Sequence, residues 1–312
     1  MFPKLLKCIM LLATAINNGK LVSQQRWKKH IGALRREADN LGFFSSKAAA
    51  RNVIYGAIAA AIKSRADYCL SHKTKFGVLL SGGVDSSFIA LMLKKFGYKF
   101  PCFTVGLVGS KDLAASKVAA SKLKLKLVLK EFTVAAAEKI IKEAVKLLET
   151  DDPVTIGIAA TEIAALKQAS DNKIKVFFSG LGSEEIFAGY QRHVIAKDAH
   201  EESWRGLKAM WKRDFLRDVA VAATFQASAL TPFLDRTVIA AAMRAKTEWK
   251  IHNGEKKLIL REIAAEAGLP KNIAFRPKMA AQYGSGFDKA LEKLTKAAGL
   301  SNKRDYLYQL LS

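Results

Sequence analysis

The segment FGVLLSGGVDSSFIALML, residues 76–93, constrains the fold more than any other part of the sequence. Its first five residues form a continuous apolar run, which is typical of a strand buried on both faces. Apolar residues then recur at helical spacing from Phe88, so Gly82 and Gly83 mark a turn from a strand into a helix. Glycines there let backbone N–H groups approach a ligand at the positive end of the helix. The segment therefore predicts a phosphate-binding turn in an α/β fold.

Polar side chains surround this turn. Ser81, Ser86 and Ser87 supply three hydroxyl groups, and Asp85 supplies a carboxylate. The alternative interpretation is an ordinary strand-to-helix turn, which does not need these polar groups. The sequence has neither a GxxxxGK[ST] loop nor a GxGxxG loop, which argues against a Walker-type NTPase and a dinucleotide-binding fold. SGGVDSS instead resembles the pyrophosphate-binding loop of N-type ATP pyrophosphatases, which split ATP between the α and β phosphates and leave an adenylated substrate.

From about residue 51, short apolar segments alternate with Ala- and Lys-rich helical segments. The predicted strands are residues 76–80, 100–108, 125–132 and 175–179. Strands separated by helices of this length predict a doubly wound parallel sheet, an α/β fold with helices on both faces, followed by additional C-terminal helices. We therefore expect one domain over residues 51–312 and an N-terminal extension of unknown role over residues 1–50.

Ligands of such sheets bind beyond the carboxyl ends of the strands. Three loops lie there, residues 81–87, 105–109 and 179–190. The third loop places Glu184 and Glu185 at the start of a helix, where the helix dipole alone would favour them. Carboxylates that face a triphosphate need Mg²⁺ between them, however. Asp85 and Glu184 are therefore the predicted metal ligands.

Five motifs extend the resemblance. SGGVDSS, FTVGLVGSKDL, SGLGSEEIFAGY, TPFLD and RPKMAAQYGSG resemble, in order and spacing, the synthetase domain of asparagine synthetases over roughly residues 51–290. The resemblance implies an adenine nucleotide alpha hydrolase-like fold and an ATP- and Mg²⁺-dependent carbon–nitrogen ligase. Such an enzyme adenylates a small, aspartate-like carboxylate with release of pyrophosphate, and ammonia or another amine then attacks to give an amide and AMP.

The resemblance also assigns roles to individual residues. Val105 and Gly106 match the segment that borders adenine, and Gly180 matches the backbone that faces it from the other side. Lys278 matches the lysine that neutralises charge on the departing phosphates, so the implied catalytic residues are Lys278, Asp85 and Glu184. The residues implied to hold the β and γ phosphates are Ser81, Gly82, Gly83, Asp85, Ser86 and Ser87.

Three positions depart from the family pattern. Leu181 stands where the family usually has a glutamate that handles the substrate amine, while Leu230 and Gly157 stand where it usually has arginines. Glu185 and Glu162 are the nearest acidic residues that could replace the missing carboxylate. These departures leave open a nucleotide-binding paralogue that has lost synthesis. Position 2 is Phe rather than a glutaminase cysteine, so ammonia is expected from solution or from a separate glutaminase subunit.

The formal net charge of +23 favours an anionic partner. The basic residues are spread along the chain, so a nucleic acid partner, and with it an RNA-modifying ATP pyrophosphatase, stays open without being favoured. Trp204, Leu207, Trp211 and Phe215 form one helical stripe, which predicts a core-facing helix rather than a base-stacking platform.

The location and the assembly can be predicted only in outline. Three cysteines without a CxxC pair fit the cytoplasm. The apolar segment 5–16 is too short to span a bilayer, so no membrane span is expected. A homodimer stays open.

Overall fold

The structure is a computed structural model that describes residues 16–17, 20–277 and 279–311. It begins with a short antiparallel hairpin of β1 (Ile16–Asn17) and β2 (Lys20–Leu21). The strands of the central sheet are β3 (Phe76–Leu79), β4 (Pro101–Leu107), β5 (Lys126–Phe132), β6 (Val176–Phe178) and β7 (Ser228–Leu230). They lie in the order β5-β4-β3-β6-β7, and every neighbouring pair is parallel. The predicted parallel α/β fold is confirmed.

Helices connect the strands. Those before β6 are α1 (Gln24–Leu41), α2 (Lys47–Ser71), α3 (Val84–Lys95), α4 (Lys111–Lys122), α5 (Val134–Leu148) and α6 (Pro153–Asp171). Between β6 and β7 lie α7 (Ser183–Ile186), α8 (Gln191–Ile195), α9 (Ala199–Met210), a π-helix (Trp211–Phe215) and α10 (Leu216–Thr224). Capping residues determine where α6 begins. Asp152 accepts a hydrogen bond from the Thr155 N–H, and Pro153 occupies the first helical position.

The C-terminal third is mostly helical, as predicted. After β7 come a 3₁₀ turn (Pro232–Leu234), α11 (Arg236–Met243), α12 (Thr247–Lys250), a hairpin of β8 (Ile251–His252) and β9 (Glu255–Lys256), α13 (Leu258–Glu266), α14 (Lys271–Ala274), α15 (Ala281–Gly284), α16 (Phe287–Ala297) and α17 (Lys303–Leu311). No helix within the described ranges is long and apolar enough to cross a membrane.

Two hydrophobic cores cover the two faces of the sheet. Side chains alternate between faces along each strand, so Cys102 and Phe178 lie in one core while their neighbours Phe103 and Phe177 lie in the other. This two-sided burial explains why the strands read as continuous apolar runs. The four predicted strands are observed within one residue at each end.

Residues 22–50 are packed into the first core. Trp27 of α1 is fully buried, and its indole N–H donates to the Leu207 carbonyl oxygen at 2.9 Å. Trp204, Leu207 and Phe215 are buried, which confirms the core-facing stripe, while Trp211 is half-buried. The division of the chain at residue 50 stays a prediction, and most of the apolar segment 5–16 lies outside the described residues.

Candidate active site

The SGGVDSS loop follows β3 at the carboxyl edge of the sheet. Gly82 has φ of 71°, and a Cβ there would lie 2.5 Å from the backbone carbon of Ala115, so only glycine fits. Gly83 is the N-cap of α3 and has no side chain to block the helix N-terminus. The hydroxyl of Ser86 accepts the Ser81 N–H at 3.2 Å and fixes the loop. The loop therefore has the form that the sequence predicted for phosphate binding.

The loop after β6 lies against the start of α3. A Cβ on Gly180 would lie only 2.7 Å from the Asp85 Cβ, so this glycine lets the two loops meet. Glu184, in the first turn of α7, then lies close enough to share one partner with Asp85. The predicted meeting of Asp85 and Glu184 at one sheet edge is what the structure shows.

Their shared partner is Lys257. Its ammonium donates to Asp85 Oδ2 at 2.6 Å, to Glu184 Oε1 at 2.5 Å and to the Ser183 hydroxyl at 3.0 Å. The Lys257 side chain is 1% exposed. Burial lowers the pKa of Lys257, but the charges of Asp85 and Glu184 outweigh it and raise the pKa above its ordinary value. The lysine is therefore held protonated between two carboxylates.

The backbone positions this lysine unusually. Lys257 directly follows the β8–β9 hairpin and has φ of 58°, in the left-handed region. A Cβ on Gly189 would collide with the Glu184 carboxylate and the Lys257 side chain, so a glycine is required beside the cluster. Three separate segments therefore meet at the Asp85–Glu184–Lys257 cluster, residues that we call the carboxylate–lysine cluster.

The cluster fits a magnesium ion brought by a nucleotide. Asp85 Oδ1 is buried and accepts no hydrogen bond from the described residues, so one acceptor is left for a cation or a ligand. Within the described ranges no group of three or more His, Cys, Asp or Glu side chains could hold a metal. Mg²⁺ commonly binds through one or two carboxylates plus substrate phosphates. Asp85 and Glu184 match that donor set.

Glu185, the neighbour of Glu184, has a different environment. Its side chain is 1% exposed and accepts hydrogen bonds from Arg192 at 2.6 Å and Arg213 at 2.5 Å. Burial raises the pKa of Glu185, but His193, Arg213 and Arg192 outweigh it and hold the pKa below its usual value. Glu185 is thus an ionised residue committed to its arginine partners. It has no bond to Lys257 among the described residues and is not part of the carboxylate–lysine cluster.

Arg276 closes the loop from the C-terminal side. Its guanidinium donates to the Ser81 carbonyl oxygen at 3.0 Å and to Asp112 Oδ1 at 3.1 Å. Arg261, itself buried, donates to the carbonyl oxygens of Ala274 and Arg276 and holds that segment in place. Lys278, the predicted catalytic lysine two residues on, lies outside the described residues.

The predicted adenine segment lies under the C-terminal part of the chain. Val105 is buried, and a Cβ on Gly106 would lie 2.8 Å from the Ser285 carbonyl oxygen. That carbonyl accepts the Leu107 N–H at 2.8 Å. Ser87, in the pyrophosphate loop, is fully buried. All predicted phosphate and adenine residues thus lie around the carboxyl edge formed by β3, β4 and β6.

The structure shows what surrounds the three positions that depart from the family pattern. A Cβ on Gly157 would lie 2.9 Å from the Gln282 Cβ, so Gln282 fills the space beside this glycine. Leu230 is buried and pairs with Phe178 in the sheet, and Leu181 packs half-buried against the first core. Glu162 lies beside Arg217, with 3.9 Å between Oε2 and Nε, and does not join the cluster. Apolar packing replaces charge at two of the three positions.

A cleft adjoins the cluster. Its volume is about 380 Å³, and it is lined by Gly189, Tyr190, Gln191, Lys256, Met279, Ala280 and Tyr283. Gly189 belongs both to this cleft and to the immediate surroundings of Glu184 and Lys257. A small substrate in the cleft would therefore lie next to the carboxylates.

Sequence reasoning missed Lys257 and Arg276. The stretch NGEKK at 253–257 reads as a polar turn, and Lys257 is one of many lysines. Its only local signal is its position directly before the apolar helix LILREI. Arg276 lies in the RPK motif, where the family resemblance implies a role only for Lys278.

The fold and the site define an α/β domain with a glycine-containing loop beside two carboxylates and a buried lysine, and comparison with known proteins identifies its family. The asparagine synthase family model matches residues 57–198 and 193–308. The chain belongs to the asparagine synthase family, which confirms the resemblance.

Two asparagine synthetases illustrate the similarity in sequence. Asparagine synthetase B of Escherichia coli is 32% identical over 256 residues, with 76% of this chain and 45% of the relative covered. Asparagine synthetase 3 of Arabidopsis thaliana is 34% identical over 232 residues, with 68% and 40% covered. The chain spans about half or less of the length of these glutamine-hydrolysing relatives. The solved NMN synthetase of Francisella tularensis aligns with 85% of the chain at 13% identity and a TM-score of 0.42.

Proposed function

We propose that the protein is an ATP-dependent amide-forming ligase. It adenylates a small carboxylate with release of pyrophosphate and transfers the acyl group to ammonia or another amine. The observation that carries this proposal is the carboxylate–lysine cluster beside the SGGVDSS loop, in a chain of the asparagine synthase family. The loop would bind the β and γ phosphates through its N–H groups and the hydroxyls of Ser81, Ser86 and Ser87. Bound Mg²⁺ would neutralise phosphate charge.

The chain's own residues supply positioning and charge. Asp85 and Glu184 would hold the metal, while the Lys257 ammonium between them would add a fixed positive charge beside the phosphates. Fixed positive charge at that point stabilises the transition state of adenylation. Arg276 would keep the loop closed through the Ser81 carbonyl, and Lys278 is proposed to stabilise departing pyrophosphate. Val105, Gly106 and Gly180 would border the adenine.

A carboxylate-dependent exchange assay tests the proposal. The protein would be incubated with ATP, Mg²⁺, labelled pyrophosphate and a panel of carboxylates that includes aspartate, and the label in ATP would be measured. Exchange that depends on one carboxylate supports adenylation. Absence of exchange with every carboxylate would rule the proposed reaction out. Adding ammonium, glutamine or a separate glutaminase subunit would then identify the source of nitrogen.

A second candidate is a paralogue that adenylates but no longer forms the amide efficiently. Leu181 favours this candidate, because its side chain packs against the first core and carries no carboxylate. The neighbouring Glu185 forms ion pairs with Arg192 and Arg213. Lost general-base help is worth about 10²–10⁴ in rate. Exchange and amide formation would be measured in the natural protein, Leu181→Glu and the matched neutral Leu181→Gln. Amide gained only in Leu181→Glu supports this candidate, whereas equal amide in all three excludes it.

A further inference from the structure

A large basic groove lies outside the carboxylate–lysine cluster. Its volume is about 980 Å³, and it lies between α1, the end of α5, the start of α6 and the helical stretch from α9 to α10. Six of its fourteen lining residues are cationic and none is anionic: Lys28, Arg205, Lys208, Lys212, Arg213 and Arg217. We call this surface the basic groove.

The six cations fall into two groups. Arg205, Arg213 and Arg217 each form an ion pair with a carboxylate that does not line the groove, for example Arg213 with Glu185 at 2.5 Å. Lys28, Lys208 and Lys212 form no ion pair with any described residue. Half of the positive charge is therefore balanced by the protein and half is available to a ligand.

The groove also has an apolar floor. The apolar lining, which we call the apolar floor, consists of Leu147 and Leu148 at the end of α5, Leu216, which is 43% exposed, Ala209 and Ala220. None of the lining residues is aromatic. The bases of a single-stranded nucleic acid would have no aromatic side chain to stack on. A polyphosphate would make no contact with the leucines. The lining fits a ligand that is both acidic and aliphatic.

The backbone marks this surface as well. The helix that carries Lys212 and Arg213 is π-helical over Trp211–Phe215, between the α-helical turns of α9 and α10. Short π-helical insertions are rare and occur frequently at functional sites. Lys208 precedes this insertion and Lys212 lies within it.

From the charge complementarity and the apolar floor, we infer that the basic groove binds an acidic amphipathic segment of a partner protein. A helix with leucines at i, i+3, i+4 and i+7 would set them on Leu147, Leu148 and Leu216. Its acidic residues would meet Lys28, Lys208 and Lys212 at the rim. The volume is at the upper end for a small-molecule pocket, about 300–1,000 Å³, and suits a peptide.

The test uses the full chain and a fluorescent peptide with that leucine spacing and glutamates elsewhere. Binding would be followed by fluorescence anisotropy in the natural protein, K208E/K212E and the matched control K289E/K293E. The control changes two exposed lysines on α16 by the same net charge. We expect K208E/K212E to weaken binding by about tenfold or more, and the control by about twofold or less. Equal weakening in both variants would overturn the inference.

Two further arms separate other occupants. Leu216→Ser should weaken peptide binding and leave the binding of polyphosphate unchanged, because only the peptide uses the floor. A scrambled peptide of the same composition should bind less tightly than the amphipathic one. Tighter binding of an oligonucleotide or of polyphosphate through Lys208 and Lys212 would overturn the inference. If K208E/K212E does not fold, K28E/K212E replaces it, since both of its lysines are exposed.

Discussion

Two buried lysines, seven positions apart, have opposite chemistry. Lys257 is 1% exposed and lies between Asp85 and Glu184, whose charges raise its pKa although burial opposes them. Lys250 is 2% exposed, and its nearest described polar contact is the Met243 sulfur at 4.0 Å. Burial lowers the pKa of Lys250 from 10.5 to about 7. Burial is the same in both cases, so the carboxylate partners decide which lysine stays charged.

The largest effect is expected from Lys257→Met. This change leaves the Asp85 and Glu184 carboxylates close together without a counterion, which should lower the free energy of unfolding by about 3 kcal/mol at neutral pH. Urea denaturation would measure it. Lys256→Met is the matched control, because the Lys256 ammonium bonds only to the Gln191 side chain at 3.1 Å among the described residues. Equal stability of the two variants would contradict the assigned role of the cluster.

Asp85→Asn should affect the reaction more than it affects folding. Asp85 lies in the first turn of α3, whose apolar residues, not its terminus, supply the packing. We expect carboxylate-dependent pyrophosphate exchange to fall about 10²–10³-fold, while the free energy of unfolding falls less than in Lys257→Met because Glu184 still pairs with Lys257. Asp67→Asn, an exposed carboxylate elsewhere on the surface, serves as the control. Retained exchange in Asp85→Asn would contradict its assignment as a metal ligand.

Lys250→Met should stabilise the protein, in contrast to Lys257→Met. Removing a buried amine that lacks a carboxylate is expected to gain about 1–3 kcal/mol at pH 7. Between pH 7 and 10.5 the unfolded chain binds more protons at Lys250 than the folded one does, so stability of the natural protein should rise with pH there. Chemical denaturation across this window would show a weaker rise in Lys250→Met. If stability rose equally with pH in Lys250→Met and in the natural protein, the lowered pKa of Lys250 would be contradicted.

The smallest effect concerns His200. Burial lowers the pKa of His200 first, and the charge of Lys250 lowers it further. In Lys250→Met that second contribution disappears, so the histidine pKa should rise towards 6.5. NMR titration of the ring protons would measure the shift. A pKa that falls or stays constant would show that the Lys250 charge does not reach His200.

The sequence could predict the sheet but only half of the site. Runs such as FGVLL and CFTVGL are long and apolar because both faces of the sheet are covered, and this pattern located four strands. The fifth strand, Ser228–Leu230, has three residues and no apolar run, so it left no signal. Asp85 and Glu184 follow strands and could be found. Lys257 follows a hairpin in a left-handed conformation, which residue types alone do not encode.

The contact between Lys257 and Asp85 also bears on when the site can form during synthesis. These residues are 172 positions apart, and Arg276 reaches the Ser81 carbonyl across 195 positions. A nascent chain that has left the ribosome only as far as Glu184 therefore carries the two carboxylates without Lys257, and the pyrophosphate loop without its contact to Arg276. Such long-range closure is slow relative to local helix formation. The site should therefore form only after residues 257–276 have left the ribosome, which is later than the sheet strands that precede Asp85 and Glu184.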